Sequence, residues 1–430
     1  MDDNPQTGDG DSSDRAGDEP GTTPASPFGL PFDLSQVDLN EAMRILQSPG
    51  PLNWEIAGQT AEQVALEGDE DDGPVDEAID PATRAELLEL AHSVAGPVIT
   101  ETGLTDVLTI PVDVVDRRTW ARRHLDGLRP VLETLAITMQ DSLAADLDAA
   151  DDPEVEEMTA GMFGMPLGAG GMRGLMGMLG PLLLGAQAGS MVGYLAKYAL
   201  GAYDLPLPSV DPPSITFVAP NLDRFADAWS LDRREVRLAV AVSETVRAAQ
   251  RTQPWVRDRL VDIAREYVGA FALDPRAFDD AFGDLDPTDT EAMSRIASRP
   301  EALLGALRND AQREILERNQ QFTMVLEGHA DLVTERITGH LIPDGARIHE
   351  ALRRHHVERG EAGRFVEGML GVELDREHYE QGHAFCAGVI ERAGIDGLNQ
   401  LWAGPSRVPT PNEIAAPGLW LARLEFDDPS

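Results

Sequence analysis

Apolar residues recur at intervals of three and four along most of this 430-residue chain, and that spacing constrains its fold more than any other feature. The run 51–66, PLNWEIAGQTAEQVAL, shows the spacing, and a second stretch opens at Asp80 with Pro81 where helix starts favour proline. Further helix starts are predicted at Asp232, where Glu235 completes a capping-box spacing, at Pro254 and at Asp274, and a long helix is predicted from about Ala311 to His340. ITFVAP, at 215–220, is predicted to form one short strand. The sequence therefore predicts a mainly α-helical protein.

Composition divides the chain into three parts. Residues 1–35 are rich in Asp, Gly, Pro and Ser, so they cannot bury enough apolar surface to offset the entropy of ordering, and a disordered acidic tail is predicted. Residues 205–220 contain five prolines and are expected to begin a second part. We therefore predict an N-terminal helical region over 36–204 and a C-terminal helical domain over 205–430.

The charge balance limits the classes of partner. Asp and Glu number 75 against 35 Lys and Arg, so the formal net charge is −40. A field of this sign repels phosphate groups, which argues against nucleic acid and anionic membranes. All basic residues except Lys197 are arginines. The acid excess predicts a halophilic protein of an acidic proteome, because molar salt screens charges that are more than about 3 Å apart. A GC-rich genome is the alternative; it would explain the preference for arginine over lysine but not the excess of acidic residues.

Cysteine content and the first residues indicate the compartment. Cys386 is the only cysteine, which excludes an intrachain disulfide and a zinc site built from several cysteines. The first residues lack the basic start and apolar core of a signal peptide, so a cytoplasmic protein is predicted. The GAGG run at 168–171 does not match the dinucleotide fingerprint, and no coenzyme-binding pattern is found.

One segment is rich in methionine and glycine. Residues 158–191 hold seven of the 13 methionines, and 174–196 carries no charge. The length suffices for a membrane span, but Pro181 and frequent glycine make it a poor one. Glycines at 185, 189 and 193 recur every four residues, which favours a buried helix packed closely against another helix and preceded by a flexible loop. Membrane association through 174–196 is the alternative.

Four arginines between Arg117 and Arg123 surround Trp120. The pattern is compatible with an anion-binding patch. A solvated helix face anchored by one aromatic side chain is the preferred interpretation.

Seven of the nine histidines lie between 329 and 383, which invites a metal hypothesis. Zinc needs ligands that converge within about 2.0–2.2 Å, commonly an i,i+4 pair on one helix face plus a third residue. No such pair of histidines exists in this stretch, and Arg353 prevents an HExxH motif after His349. Histidines scattered over the surface are therefore the preferred interpretation.

The predicted long helix carries a separate acidic pair. Glu327 and Asp331 are four residues apart and share a face, whereas His329 points to roughly the opposite side. Gly328 and Ala330 leave room there for another helix or an ion. In so acidic a chain, a solvated pair accounts for the same spacing.

Six dispersed runs resemble a known family. They are GPLNWEIA from Gly50, AYDLPLP from Ala202, PWVRDRL from Pro254, LEGHADLV from Leu326, HYEQGHAF from His378 and VPTPNEIAAPGLWLAR ending at Arg423. In this order they are similar to the type 2 zincin-like metallopeptidase family associated with biosynthesis of the deazaflavin coenzyme. The resemblance spans nearly the whole chain after the tail, and it implies a zincin-like helical fold.

The resemblance also implies site residues. In that family the helix before the Pro-Trp pair carries HExxH, whose histidines hold zinc and whose glutamate activates water. Here the helix reads LAVAVSETVRAAQRTQPW. Ser243 and Arg247 take the two histidine positions, Glu244 the general-base position and Glu327 the third-ligand position. No histidine lies between His124 and His329, so no shift of register restores the motif.

These positions lead to the principal hypothesis. One carboxylate cannot hold a catalytic zinc alone, and Arg247 puts a fixed positive charge where the cation would lie. We expect Arg247 to pair with Glu244 and Glu327; an exposed pair of Glu244 with Arg247 is the alternative. The hypothesis is a family member without metal or cofactor that has lost peptidase activity and acts as a binding or assembly protein for a protein or peptide partner.

An active zinc-dependent metallohydrolase is the competing enzyme hypothesis. It would use a non-standard ligand set of Glu327, His329, Asp331 and a later histidine, with Glu244 as base. The divergence of His329 from the other two side chains argues against it.

Overall fold

The computed structural model describes residues 50–67, 78–149, 169–271, 309–357 and 361–427. The helices in these ranges are α1 Trp54–Leu66, α2 Pro81–Thr102, α3 Arg117–Gly127, α4 Arg129–Ala149, α5 Ala169–Ala196, α6 Ala219–Ala228, α7 Arg233–Arg251, α8 Pro254–Gly269, α9 Asp310–Leu341, α10 Gly345–Val357, α11 Glu361–Leu370, α12 Arg376–Leu398, α13 Pro411–Ala415 and α14 Pro417–Asp427, with 3₁₀ turns at Thr105–Thr109, Asn399–Ala403 and Pro405–Arg407. The fold is mainly α-helical, as predicted. The predicted acidic tail, the loop before residue 169 and the helix predicted at Asp274 lie outside the described residues.

Side-chain caps fix several helix starts. Asp80 accepts a hydrogen bond from the backbone N–H of Thr83 at the start of α2, and Asp232 accepts from two N–H groups of α7. At the start of α9, Asn309 and Gln312 form a complete capping box. The predicted helix starts at Asp80, Asp232 and Pro254 and the long helix are confirmed, with α9 ending one residue beyond His340.

Two short parallel strands lie inside the helical array. β1, Val112–Val115, pairs with β2, Ile215–Val218, in a register that sets Val112 opposite Ile215. The predicted strand at 215–220 is confirmed over its first four residues. β1 was not predicted from the sequence. β2 is buried throughout and leads directly into α6. Gly201 forms an antiparallel bridge with Phe217 of β2, and the backbone N–H groups of Ala202 and Tyr203 bond to Glu244, so the segment 200–204 lies between β2 and α7.

The apolar core forms two large clusters of buried side chains. One joins α2, the strands, α7, α9 and α12, and the other joins α1, α3, α4, α5, α8 and α11. Both draw on residues before and after position 204. The domain boundary at 204/205 stays a prediction.

The glycine face of α5 packs against α1. A Cβ atom on Gly185, Gly189 or Gly193 would collide with the backbone carbonyls of Asn53, Ala57 and Ala61, respectively. The absence of side chains therefore permits the two backbones to approach closely. Although Leu179–Ala196 is long and apolar enough to cross a membrane, 56% of it is buried in the fold. The expectation of a packed helix is confirmed.

The arginine-rich helix α3 differs in part from its prediction. Trp120 is buried, as an anchor should be, and its Nε1 donates to the backbone carbonyl of Gly201 at 2.7 Å. Arg122 and Arg123 are exposed and pair with Glu62 and Asp113. Arg117 is buried instead, and its Nε donates to Asn221 Oδ1 at 2.6 Å, so the solvated face does not include it.

Candidate functional site

Helix α7 carries the predicted site and lies at the centre of the fold. Every residue from Ala239 to Arg251 is buried, because α2, α9, α10 and β2 pack around this half of the helix. A helix buried on all sides is normally apolar on all sides. This one instead buries Ser243, Glu244, Arg247, Gln250 and Arg251, so its polar groups require partners inside the protein.

Arg247 meets Glu327 of α9 in a buried ion pair. Arg247 Nη2 and Nε lie 3.0 and 3.2 Å from Glu327 Oε2, and the two residues are only 2% and 1% exposed. Arg247 Nη1 also donates to Ser243 Oγ, one turn earlier on α7. Burial alone would lower the pKa of Arg247, but Glu327, Tyr379 and Glu244 raise it, so the guanidinium stays charged. The expected pairing with Glu327 is confirmed.

Glu244 does not join that pair, which corrects the expectation. Its two oxygens accept hydrogen bonds from the backbone N–H groups of Ala202 at 2.8 Å and Tyr203 at 3.1 Å. The alternative of an exposed pair with Arg247 is also wrong, because Glu244 is buried. Gly201 is required beside it, since a Cβ there would strike the Glu244 carboxyl.

The surroundings of Glu244 alter its acidity. Burial, together with the negative charge of nearby Asp204, raises the pKa of Glu244 to about 8, against the opposing influence of Arg247 and the two N–H donors. Asp204 lies close to His355 Nε2 at 3.2 Å and His356 Nε2 at 3.5 Å. Although burial alone would raise the pKa of Asp204, these two histidines hold it far below its usual range.

His329 also faces α7, contrary to the predicted divergence. Its Nδ1 accepts from Gln250 Nε2 at 3.0 Å, and its ring makes an edge-to-face contact with Trp402. Burial lowers the pKa of His329 to about 3, so the imidazole is neutral. Glu327 and His329 therefore both contact α7, at Arg247 and Gln250.

Asp331 belongs to another contact. It lies 2.8 Å from His349 Nε2 and 2.9 Å from Arg353 Nη2, both on α10. The sequence placed Asp331 on the face of Glu327, but the two carboxylates contact different helices. His329, His349 and His356 are buried, so the prediction that the histidines are scattered over the surface is wrong for these three.

The donors at the predicted metal position do not fit zinc. Catalytic zinc takes three protein ligands from neutral imidazole, thiolate and carboxylate groups. Positions 243 and 247 supply a hydroxyl and a cation, and the guanidinium already occupies Glu327 Oε2. Within the described ranges, no three His, Cys, Asp or Glu side chains are grouped to hold a metal ion.

Comparison with known proteins defines the family. A sequence profile of the family described as zincin-like metallopeptidase matches residues 52–421. The chain belongs to this family. Among the described residues, the match covers every helix from α1 to the first half of α14. A comparison with curated proteins found no match.

A solved structure shares the fold. The crystal structure of a protein from Chloroflexus aurantiacus, described as "a putative hydrolase with a novel fold", superposes with a TM-score of 0.53 at 21% sequence identity. The alignment covers 87% of this chain and 99% of that one. At this identity the likeness concerns the fold alone.

Sequence reasoning missed several residues of the site. Asp204 lies in the AYDLPLP run that carried part of the resemblance, but it received no role. The pair His355 and His356 was grouped with the other histidines, and Gln250 and Arg251 were not considered. Buried polar side chains at successive turns of α7 were the available signal, because 243, 247, 250 and 251 lie on one side of a helix.

Proposed function

We propose that this protein is a zincin-like family member that has lost catalytic zinc and peptidase activity and acts in the cytoplasm as a binding or assembly protein. The observation that supports this proposal most strongly is the buried ion pair between Arg247 and Glu327. Residue-by-residue correspondence puts Arg247 at the second histidine of HExxH and Glu327 at the third zinc ligand. A guanidinium there supplies the positive charge that zinc would supply in an active relative.

The hydrogen bonds around the pair support this proposal. Ser243, at the first histidine position, has a hydroxyl group instead of an imidazole, and this hydroxyl accepts a hydrogen bond from Arg247. Glu244, at the general-base position, has both oxygens on backbone N–H groups. A general base must reach a water or substrate proton, and this carboxyl is directed into the segment 202–203 instead.

The separate partners of the other candidate ligands argue against an active enzyme with a non-standard ligand set. Glu327 binds Arg247, His329 binds Gln250 and Asp331 binds His349 and Arg353. The first two contacts lead to α7 and the third leads to α10. Bringing the three side chains onto one metal ion would require several buried hydrogen bonds to break.

Restoring the motif tests the proposal. The double variant Ser243→His/Arg247→His removes the guanidinium and supplies two imidazoles at i and i+4 beside Glu327. We expect it to bind one zinc ion per chain and to unfold at a higher temperature with zinc than without, because a ligand that binds only the folded state stabilises it. Each single variant is the matched control and should bind zinc much more weakly. A folded double variant that does not bind zinc would show that positions 243 and 247 do not correspond to the two histidines of HExxH.

We propose that the partner is a protein or peptide. We also propose that the protein acts in the biosynthesis of the deazaflavin coenzyme with which the family is associated. Neither nucleic acid nor a membrane is proposed as a partner, since the net charge of −40 repels anionic surfaces.

The same acid excess leads us to propose that the protein works in concentrated salt. Dialysis against low salt should then reduce helicity by circular dichroism; unchanged helicity would contradict halophily.

A further inference from the structure

A cavity of about 370 Å³ lies beside the candidate site, between α3, the segment 202–216 and helices α7 and α8. Trp120, Tyr203 and Leu260 give it an apolar wall, and the hydroxyl groups of Ser209, Ser214 and Thr216 also line it. Such a mixture of apolar surface and a few polar groups is typical of small-molecule sites.

Two arginines of this cavity lack carboxylate partners. Arg251 donates from Nη1 to the backbone carbonyl of Arg247 and lies over the ring of Tyr203, with its Cζ 4.3 Å from the ring centroid. Arg257 donates to the backbone carbonyl of Arg251 at 2.8 Å. In the described part of the chain neither guanidinium forms an ion pair, and Nη2 of the buried Arg251 has no hydrogen-bond partner there.

Arg251 differs from Arg247, the buried arginine one turn earlier on α7, which pairs directly with Glu327. Arginines elsewhere, such as Arg237 and Arg353, pair directly with carboxylates. Acids outnumber bases by 40 over the whole sequence, yet the carboxylates that act on the buried Arg251, those of Glu327 and Glu244, form no ion pair with it. A buried cation normally has a paired anion.

The acidic residues of the cavity do not supply that anion. Asp126 lies 3.5 Å from Arg129, outside the lining, while Arg123, a third arginine of the lining, pairs with Asp113. Asp211 is the other acid of the lining; its carboxylate acts electrostatically on His124 and forms no ion pair with either arginine in the described part of the chain. Three arginines against two aspartates leave the lining positive within a strongly negative protein.

We propose that this cavity binds a small organic anion whose carboxylate or phosphate group is held by Arg251 and Arg257 and whose apolar body packs on Trp120 and Tyr203. Guanidinium groups suit both oxyanions, because their fork of N–H donors matches two oxygens at once. This inference goes beyond the proposed function and does not rest on the loss of zinc. It assigns the ligand class of a site separate from Arg247 and Glu327.

Calorimetric titration of the full chain with phenyl phosphate, benzoate and phenol tests the proposal at constant ionic strength. We expect at least one of the two anions to bind and the uncharged phenol not to bind. Arg257→Gln should weaken anion binding about tenfold or more, since a hydrogen bond to a charged group is lost. Arg265→Gln is the matched control, because Arg265 is exposed on the same helix and outside the lining, and it should change the affinity less than about twofold.

The outcomes separate the alternatives. Tighter binding of phenyl phosphate or of benzoate identifies the oxyanion, and either result supports the site. If neither anion binds, or if phenol binds as well as the anions, the proposal is overturned. Equal weakening by the two variants would also overturn it, because the effect would then come from net charge. Circular dichroism confirms that each variant is folded.

Discussion

The helix pairs α1–α5 and α7–α9 achieve close packing in opposite ways. In α1–α5, glycines bring two backbones together, so that the carbonyls of Asn53, Ala57 and Ala61 lie against α5. In α7–α9, the contact buries Arg247 against Glu327 and Gln250 against His329. The first arrangement depends on small volume and the second on compensated charge. They should therefore fail under different substitutions.

Removing one charge from the α7–α9 contact should have the largest effect on stability. Arg247→Met leaves Glu327 buried without its cation, and we expect a loss of about 3–5 kcal/mol in the free energy of unfolding. Urea denaturation measures it. The double variant Arg247→Met/Glu327→Met removes both charges and should recover most of that loss, since a well-packed apolar pair can replace a buried ion pair. A double variant as unstable as the single one would contradict this.

Adding a side chain at a glycine of α5 should disrupt the α1–α5 contact. Gly189→Val places side-chain atoms against the backbone of Ala57, and overpacking should cost about 1–3 kcal/mol or more. Gly177→Ala, on the same helix with open space around it, is the control and should stabilise by about 0.5–1 kcal/mol. The comparison of the two urea midpoints checks the close approach. Equal effects of the two substitutions would speak against it.

These two substitutions also show what the sequence alone can predict. The contact of α5 was predictable because its glycines are local and four residues apart. The partners of Glu244 were not, since they come from the backbone of Ala202 and Tyr203, about 40 residues away. Helix spacing identifies residues that share a face but not the helix that this face meets. Glu327 and Asp331 were therefore placed on one face correctly but assigned to one environment wrongly.

Buried titratable groups on α7, α9 and α10 should also make stability depend on pH. Burial raises the pKa of Glu244 to about 8 in the folded protein, so its stabilising contribution is complete below its ordinary pKa of 4.5 and is lost as pH rises towards 8. Glu244→Gln removes the titrating group and should flatten this decline. Because the amide Nε2 cannot accept a hydrogen bond, one of the two backbone N–H bonds is lost, so the variant should be less stable than wild type at low pH and gain on it as pH rises.

Urea midpoints at about pH 5, 7 and 9 measure the decline. Glu314→Gln, at an exposed position of α9, is the control and should keep the wild-type profile. On the acid side, burial lowers the pKa of His329 to about 3 and of His356 to about 4, so stability should fall as pH drops below about 6.5 in both variants. An unchanged alkaline decline in Glu244→Gln would contradict the role given to Glu244.

An exposed ion pair should matter least. Arg354 and Glu350 are four residues apart on α10 and about half exposed. Arg354→Gln should cost at most about 0.5 kcal/mol, because solvent and salt screen the pair. Urea denaturation at low and high salt checks this. A loss as large as that of Arg247→Met would remove the distinction between buried and exposed pairs.

The zinc content of the unmodified protein tests the central claim most directly. The protein would be produced in zinc-supplemented medium, purified without chelators and analysed for metal by mass spectrometry beside the Ser243→His/Arg247→His variant. Because we propose that the Arg247–Glu327 pair occupies the position of a metal site in relatives, the account predicts far less than one zinc per chain in the unmodified protein and a full zinc in the variant. A full zinc in the unmodified protein would contradict it.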